Sequence, residues 1–86
     1  MNKLFTDNAW QDYLYWQKED RKTLKRINQL IQDISRNGNT GIGKPEPLVG
    51  PLVGFWSRRI NEKDRLIYNI EEETINILAC RYHYKK

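Results

Sequence analysis

The sequence has little of what several common kinds of protein chemistry require: it contains one cysteine and one histidine among its 86 residues. A single cysteine, Cys80, excludes an internal disulfide and a cysteine-based metal site, so we interpret it as a small apolar side chain within a strand. No apolar run reaches the length of a signal peptide or a membrane span. We therefore expect a single cytoplasmic domain over residues 1–86, with no metal, no cofactor and no membrane association.

Positively charged residues are in modest excess. Lysine and arginine number 15 against 11 acidic residues, which gives a net charge of +4. Small basic domains often bind nucleic acid, although an excess of this size is also common in proteins that do not. Because the two halves of the chain are similarly balanced, the fold must assemble any basic patch.

The first 37 residues show a short strand followed by two helices. Lys3 to Phe5 is the strand, and Thr6 or Asp7 caps a helix that runs to about Glu19. Asp20 caps a second helix to about Arg36, and the short joint predicts a helical hairpin. The predicted core residues of the two helices are Trp10, Tyr13, Leu14, Leu24, Ile27, Leu30, Ile31 and Ile34.

A loop rich in glycine and proline follows, and then three strands. Three prolines in residues 45–51 exclude a helix there, and Pro45 and Pro47 stiffen the backbone on either side of Glu46. A carboxylate on such a segment is pre-positioned for catalysis, although an exposed loop carboxylate is the simpler interpretation. Residues 55–60, 65–70 and 75–82 predict an antiparallel meander, and the whole chain predicts an α+β domain with two helices on one face of the sheet.

Alternation along the three strands sorts their side chains onto two faces. The apolar set, which should face the helices, is Trp56, Ile60, Leu66, Tyr68, Ile70, Leu78 and Cys80. The opposite set carries no acid and consists of Ser57, Arg59, Arg65, Asn69, Arg81 and His83. We interpret this second face as one that binds phosphate, with an ordinary solvated face as the alternative.

The only histidine, His83, stands between two tyrosines and beside cations, in a group of residues suited to gripping phosphate and stacking on bases. Metal-independent RNA cleavage needs a base for the ribose 2′-hydroxyl, cations for the phosphorane, and an acid for the departing 5′-oxygen. Glu46, Arg65 with Arg59, and His83 respectively can fill these roles. The strands carry no carboxylate cluster, which argues against a two-metal nuclease.

Several motifs together resemble the YoeB toxins of the RelE superfamily. They are Trp10, Asp12 to Gln17, Lys25 to Ile31, Gly43 to Leu48, Gly54 to Ile60, Arg65-Leu66 and Ala79 to Tyr84. The resemblance covers nearly the whole chain and implies a RelE-like fold.

The same resemblance implies an endoribonuclease that cuts mRNA in the A site of the bacterial ribosome and leaves a 2′,3′-cyclic phosphate. It matches Glu46 with the general base, His83 with the general acid and Arg65 with the phosphate-stabilising arginine, while Arg59 and Tyr84 match supporting positions. The predicted substrate-binding residues are Lys44, Arg59, Arg81 and Tyr84. The implied partners are the ribosome, its mRNA and a YefM-like antitoxin; a homodimer is left open.

One departure from the family keeps an alternative open. Family members usually carry lysine where this chain has Val49, and that lysine would lie beside the reacting phosphate. A catalytically weak inhibitor that occupies the A site without cutting is therefore the second hypothesis. A third is a RelE-fold relative that poisons a DNA-processing enzyme, as ParE-type toxins do, but such toxins lack the pairing of Glu46 with His83.

Overall fold

The computed structural model describes residues 1–82. Five strands and two helices follow one another in the order strand, two helices, four strands. Their bounds are β1 (Asn2–Phe5), α1 (Asp7–Glu19), α2 (Arg21–Asn37), β2 (Glu46–Pro47), β3 (Trp56–Arg59), β4 (Arg65–Glu71) and β5 (Thr74–Ala79). The predicted α+β class, both helices and the three-stranded meander are confirmed. Neither helix combines the length and apolar character needed to span a bilayer, within the described residues.

Both helices begin where their capping residues predict. The Thr6 hydroxyl accepts a hydrogen bond from the Ala9 N–H, and the Asp20 carboxylate accepts from the N–H groups of Lys22 and Thr23. These bonds satisfy amide donors that the first turn of a helix leaves without partners. Asp20 alone separates α1 from α2, so the two helices form the predicted hairpin.

The sheet has the order β1-β5-β4-β3-β2. β1 runs parallel to β5, and the remaining neighbours are antiparallel. The parallel pairing of the first and last strands and the two-residue strand β2 were not predicted. The proline-rich segment also includes a short 3₁₀ helix at Gly50–Leu52, where the sequence predicted no helix; the fixed φ of Pro51 suits such a turn.

The core lies between the helices and one face of the sheet. Its α2 contribution is the predicted stripe, with Ile27, Leu30, Ile31 and Ile34 buried. Helix α1 differs from the prediction because it buries Ala9, Asp12 and Trp16, whereas Trp10 is 45% exposed. Trp10 stacks instead on Tyr13 at the surface, with the two ring planes 10° apart.

The predicted alternation is correct along β4 but fails along β5. The register of these two strands shifts at Ile67/Tyr68, so that Ile67 pairs with Ala79 while Tyr68 pairs with Ile77. Leu78 is therefore the extra residue of a β-bulge. As a result, the odd-numbered residues of β5 before the bulge face the helices, where alternation predicted the even-numbered ones. Ile75 and Ile77 belong to the core, and Leu78, predicted for the core, lines a groove with Asn69 and Asn76.

The face away from the helices also differs in its charge. The Asn76 amide donates to Asn69 and to the Glu71 carboxylate, which places an acid on the face predicted to lack one. Arg81 was predicted for this face as well, but β5 ends at Ala79 and alternation no longer applies beyond it. Its guanidinium lies instead over the Tyr15 ring of α1, 3.4 Å from the ring centroid.

Candidate active site

The segment that carries Lys44 and Glu46 is held in place by one buried arginine. Arg58 is fully buried, and its guanidinium donates to the backbone carbonyl oxygens of Gly38, Thr40 and Ile42. It also forms an ion pair with the Asp33 carboxylate and donates to the Tyr68 hydroxyl. A single side chain on β3 therefore fixes three points of the loop between α2 and β2.

The Asp33 side chain supports the same loop from helix α2. Its carboxylate accepts hydrogen bonds from Arg58, from the Ile42 N–H and from the Asn37 amide. The hydrogen bond from Arg58 is the main reason that the pKa of Asp33 lies below its ordinary value. The carboxylate is thus charged in the folded protein at neutral pH, as the buried arginine requires.

Gly43 lies where the loop passes closest to the core. Its φ is +81°, and a β-carbon added there would come within 2.7 Å of the Leu30 Cδ2 atom. The Gly43 carbonyl accepts a hydrogen bond of 2.7 Å from the Arg59 N–H. A side chain at this position would therefore push apart the loop and β3, next to Lys44 and Glu46.

The pairing of β2 with β3 brings Glu46 onto the sheet. Glu46 pairs with Ser57, which in turn pairs with Ile67 of β4. Partners directly opposite in antiparallel strands point to the same face, so Glu46 belongs to the face away from the helices. Its side chain is exposed there.

Two arginines lie directly opposite each other on the same face, two residues further along. Arg59 of β3 pairs with Arg65 of β4. Like charges in this arrangement repel, and a bound anion would relieve the repulsion. Glu46 is level with Ile67 of β4, so its backbone lies two strand spacings, about 10 Å, across the sheet from β4 and two residues, about 7 Å, along it from Arg65.

The guanidinium of Arg65 is fixed by the turn before it. Arg65 is 9% exposed, and its Nη1 atom donates to the carbonyl oxygens of Asn61, Glu62 and Asp64. Arg59, by contrast, is exposed. The pair thus combines one preorganised cation with one cation that is free to adjust.

The chain returns to the same place after β5. The Arg65 N–H donates to the Tyr82 carbonyl at 3.0 Å, and the Tyr82 N–H donates to the Asp64 carboxylate at 2.6 Å. Tyr82 has a φ of +69°, which is uncommon for a residue with a side chain. Tyr82 is therefore held beside Arg65 by the turn between β3 and β4.

The structure brings together some predicted residues and not others. Glu46, Arg59 and Arg65 share one face, and exposed Lys44 lies on the loop two residues before Glu46. The guanidinium of Arg81 lies over the Tyr15 ring of α1. His83 and Tyr84 lie outside the described residues, so their predicted roles stay predictions.

Cys80 is structural rather than reactive. Burial is the main cause that raises the pKa of its thiol to about 12, which leaves the side chain neutral. Its backbone is also occupied, since the N–H donates to the Asp12 carboxylate and the carbonyl accepts from the Trp16 indole. Both findings agree with its interpretation as a small apolar residue, but Cys80 lies one residue beyond the end of β5 and not within a strand.

Sequence reasoning missed two supporting residues, Arg58 and Asp12. Arg58 alternates with Ser57 and Arg59 and so falls on the core side of β3, where a charged residue is itself an indication of a buried ion pair. Asp12 is 8% exposed, and burial raises its pKa above the ordinary value. Its helical spacing with Trp16 could have identified it, because both residues lie on the buried side of α1.

The chain is similar to known bacterial toxins. A family model described as the YoeB-like toxin of bacterial type II toxin–antitoxin systems matches residues 5–84. The YoeB toxin of Escherichia coli K12 is 50% identical over 84 residues, which cover 98% of this chain and all of that one.

Two solved structures from Staphylococcus aureus have the same fold. A YoeB–YefM complex is 46% identical with a TM-score of 0.92, and a YoeB dimer is 47% identical with the same TM-score. Each match covers 98% of both chains. The chain therefore belongs to the YoeB family of toxins from bacterial type II toxin–antitoxin systems.

Proposed function

We propose that this toxin is a metal-independent endoribonuclease that cuts mRNA in the A site of the ribosome and so stops translation. The observation that carries the proposal is the row of ionic groups on the open face of the sheet. Arg59 and Arg65 face each other, and Glu46 lies on the neighbouring strand of the same face. Paired cations suit a phosphodiester, and an exposed carboxylate on a stiff segment suits a base.

The proposed reaction is an internal transfer of the phosphoryl group. Glu46 takes the proton of the ribose 2′-hydroxyl, and the 2′-oxygen attacks the adjacent phosphorus. Arg65 and Arg59 stabilise the charge of the phosphorane. The bond from phosphorus to the 5′-oxygen then breaks, and His83 donates a proton to that oxygen. The products are a 2′,3′-cyclic phosphate and a 5′-hydroxyl.

The ribosome is needed in this proposal because the candidate site does little to hold a strand of RNA. Glu46 and Arg59 lie on an open sheet face rather than in a cleft. Orientation of the reacting groups contributes on the order of 7–11 kcal/mol in favourable cases. We propose that the ribosome supplies it by presenting mRNA in a fixed conformation, with Lys44, Arg81 and Tyr84 as further contacts of the toxin.

The partner that restrains the toxin is proposed to be a YefM-like antitoxin. The related S. aureus toxin was solved in a YoeB–YefM complex and also as a YoeB dimer. An antitoxin that covers the arginine pair would block the site, and its carboxylates could occupy the place of the phosphate. We also propose that the toxin can form a homodimer and that it acts in the cytoplasm, where ribosomes are.

The test is cleavage of mRNA on programmed ribosomes, with the new 5′ ends mapped. The intact toxin should cut in the A-site codon, and Glu46→Gln should lose most of this activity. Glu73→Gln is the matched control, since Glu73 is an exposed carboxylate in the turn between β4 and β5. The same mRNA without ribosomes should be a poor substrate.

The competing functions give different results in that assay and in cells. An inhibitor that only occupies the A site would arrest translation without new mRNA ends, and Val49 is the residue that favours this alternative. A poison of a DNA-processing enzyme would leave both mRNA and translation intact at first. Efficient cleavage of free mRNA would contradict the proposed need for the ribosome.

A further inference from the structure

Helix α1 carries a motif, Asp12 to Gln17, to which the proposed reaction assigns no role. Two of its side chains form hydrogen bonds with the backbone of one residue, Cys80, just beyond the end of β5. The Asp12 carboxylate accepts a hydrogen bond of 3.0 Å from the Cys80 N–H, and the Trp16 indole N–H donates to the Cys80 carbonyl at 2.7 Å. Residues four apart on a helix share a face, so this face is shaped to hold one peptide unit on each side of Cys80.

These two bonds replace a strand partner. Cys80 is fully buried, and β5 has ended one residue earlier. Backbone donors and acceptors buried without partners are costly, so the chain could not pass here without Asp12 and Trp16 or equivalent groups. The burial of the Asp12 carboxylate is itself unfavourable, which shows that helix α1 gives up stability in order to provide the acceptor.

The following two residues are held as well, by different elements. The Arg81 guanidinium lies 3.4 Å from the centroid of the Tyr15 ring, a close cation–π contact. Tyr82 is bonded through its N–H to Asp64 and through its carbonyl to the Arg65 N–H. Three consecutive residues are thus fixed by α1 on one side and by the turn before β4 on the other.

This fixation holds Tyr82 at a φ of +69°, which a residue with a side chain adopts only when its surroundings enforce it. Tyr82 consequently lies at a defined point beside the backbone of Arg65.

We propose that Asp12, Tyr15 and Trp16 are positioning residues for cleavage. They fix the course of residues 80–82 and so set the point from which His83, the next residue in the chain, acts as the acid. This inference rests on the proposed function, because it assigns α1 a role in protonating the 5′-oxygen. A misplacement of about 1 Å in such a group can lower a rate by about 100-fold.

The test is single-turnover cleavage on programmed ribosomes by Trp16→Phe, which keeps an aromatic ring in the core but removes the indole N–H donor together with part of the side-chain volume. We expect its rate to fall between about 10-fold and 100-fold, while binding to the ribosome changes by less than about twofold. Tyr13→Phe is the control, because it removes a hydrogen bond from α1 to Asn28, away from Cys80. Its cleavage rate should equal that of the parent.

A second substrate separates a misplaced acid from general damage. In mRNA with sulfur in place of the bridging 5′-oxygen at the cleaved bond, the leaving thiolate needs no proton. The defect of Trp16→Phe should disappear on this substrate, as should the defect of His83→Ala. A defect of equal size on both substrates would overturn the inference, and so would parental activity of Trp16→Phe on ordinary mRNA.

Variants of Asp12 cover the case in which Trp16→Phe does not fold. Asp12→Asn retains an oxygen that accepts from the Cys80 N–H and should cleave at close to the parental rate, whereas Asp12→Ala should show the sulfur-rescued defect. Equal activity of the two variants would contradict the inference. A different result would contradict the proposed function itself: cleavage of ordinary mRNA by His83→Ala at the parental rate. That result is distinguishable because it does not depend on any Trp16 or Asp12 variant.

Discussion

Two segments approach Arg65 from opposite sides, and they are fixed in different ways. The loop before β2 carries Glu46 and is stiffened by its own prolines and glycines, with Arg58 holding three of its carbonyl groups. Residues 80–82 are held from elsewhere in the chain: side chains of α1 contact Cys80 and Arg81, and the turn before β4 binds Tyr82. In the proposed function, the segment with the base is thus held by a stiff loop, and the segment before the acid is held by contacts from distant elements.

Arg58 and Arg59 show the same contrast within two neighbouring residues. Arg58 faces the core, is fully buried and is paired with Asp33. Arg59 faces solvent, opposite Arg65. Alternation along one strand thus gives one arginine to the support of the loop and the next to the candidate site.

The largest effect is expected where both segments meet the substrate. Glu46→Ala and His83→Ala should each lower the single-turnover rate by about 10²–10⁴-fold, the usual size of a general acid or base contribution. Because the two groups act in one step, the double variant should lose much less than the product of the two losses. Parental thermal stability of each variant is the control for folding, and a fully multiplicative double loss would show that the residues act independently.

Substitutions of the two neighbouring arginines should affect different properties: Arg58 should matter for stability and Arg59 for activity. Arg58→Met leaves Asp33 and three loop carbonyls without their partner, and we expect a loss of about 3–5 kcal/mol in the free energy of unfolding. Arg59→Met should change that free energy by less than about 0.5 kcal/mol and instead slow cleavage. Urea unfolding with parallel rate measurements checks both, and similar stability of the two variants would refute the division of roles.

The local stiffness of the loop can be tested at Gly43. Gly43→Ala should cost about 1–3 kcal/mol, because the residue has a positive φ and its β-carbon would strike Leu30. Gly50→Ala is the matched control: Gly50 has a φ of +68°, but no atom lies within 4 Å of its added β-carbon. Unfolding of both variants should show a larger loss at Gly43, and equal losses would mean that the close approach to Leu30 is unimportant.

The sequence predicted the parts of the fold whose causes are local. Caps at Thr6 and Asp20 and the apolar stripe of α2 determine the helices, and these were correct. Alternation also placed Glu46's neighbours Arg59 and Arg65 on one face, which residue pairing confirms. Each of these features depends on residues within a few positions of one another.

The errors arose where distant residues decide the outcome. The bulge at Leu78 depends on how β5 pairs with β4, and the position of Arg81 depends on Tyr15 of α1. Neither pairing is visible in the spacing of residues 74–82. The helical spacing of Trp10 with Tyr13 and Leu14 predicts a core position for Trp10, but the packing of α1 buries Asp12 instead.

The smallest effect is expected at Val49, where family members usually carry lysine. Val49 is 50% exposed at the start of the 3₁₀ helix, so a lysine there would be tolerated without repacking. If it reaches the phosphate, Val49→Lys should raise the single-turnover rate by about tenfold, which corresponds to about 1.4 kcal/mol. Val53→Lys is the control for added charge, because Val53 is exposed at the other end of the same 3₁₀ helix. An equal gain in both variants would indicate general attraction to RNA, and no gain at Val49 would indicate that Lys44 already supplies the cation.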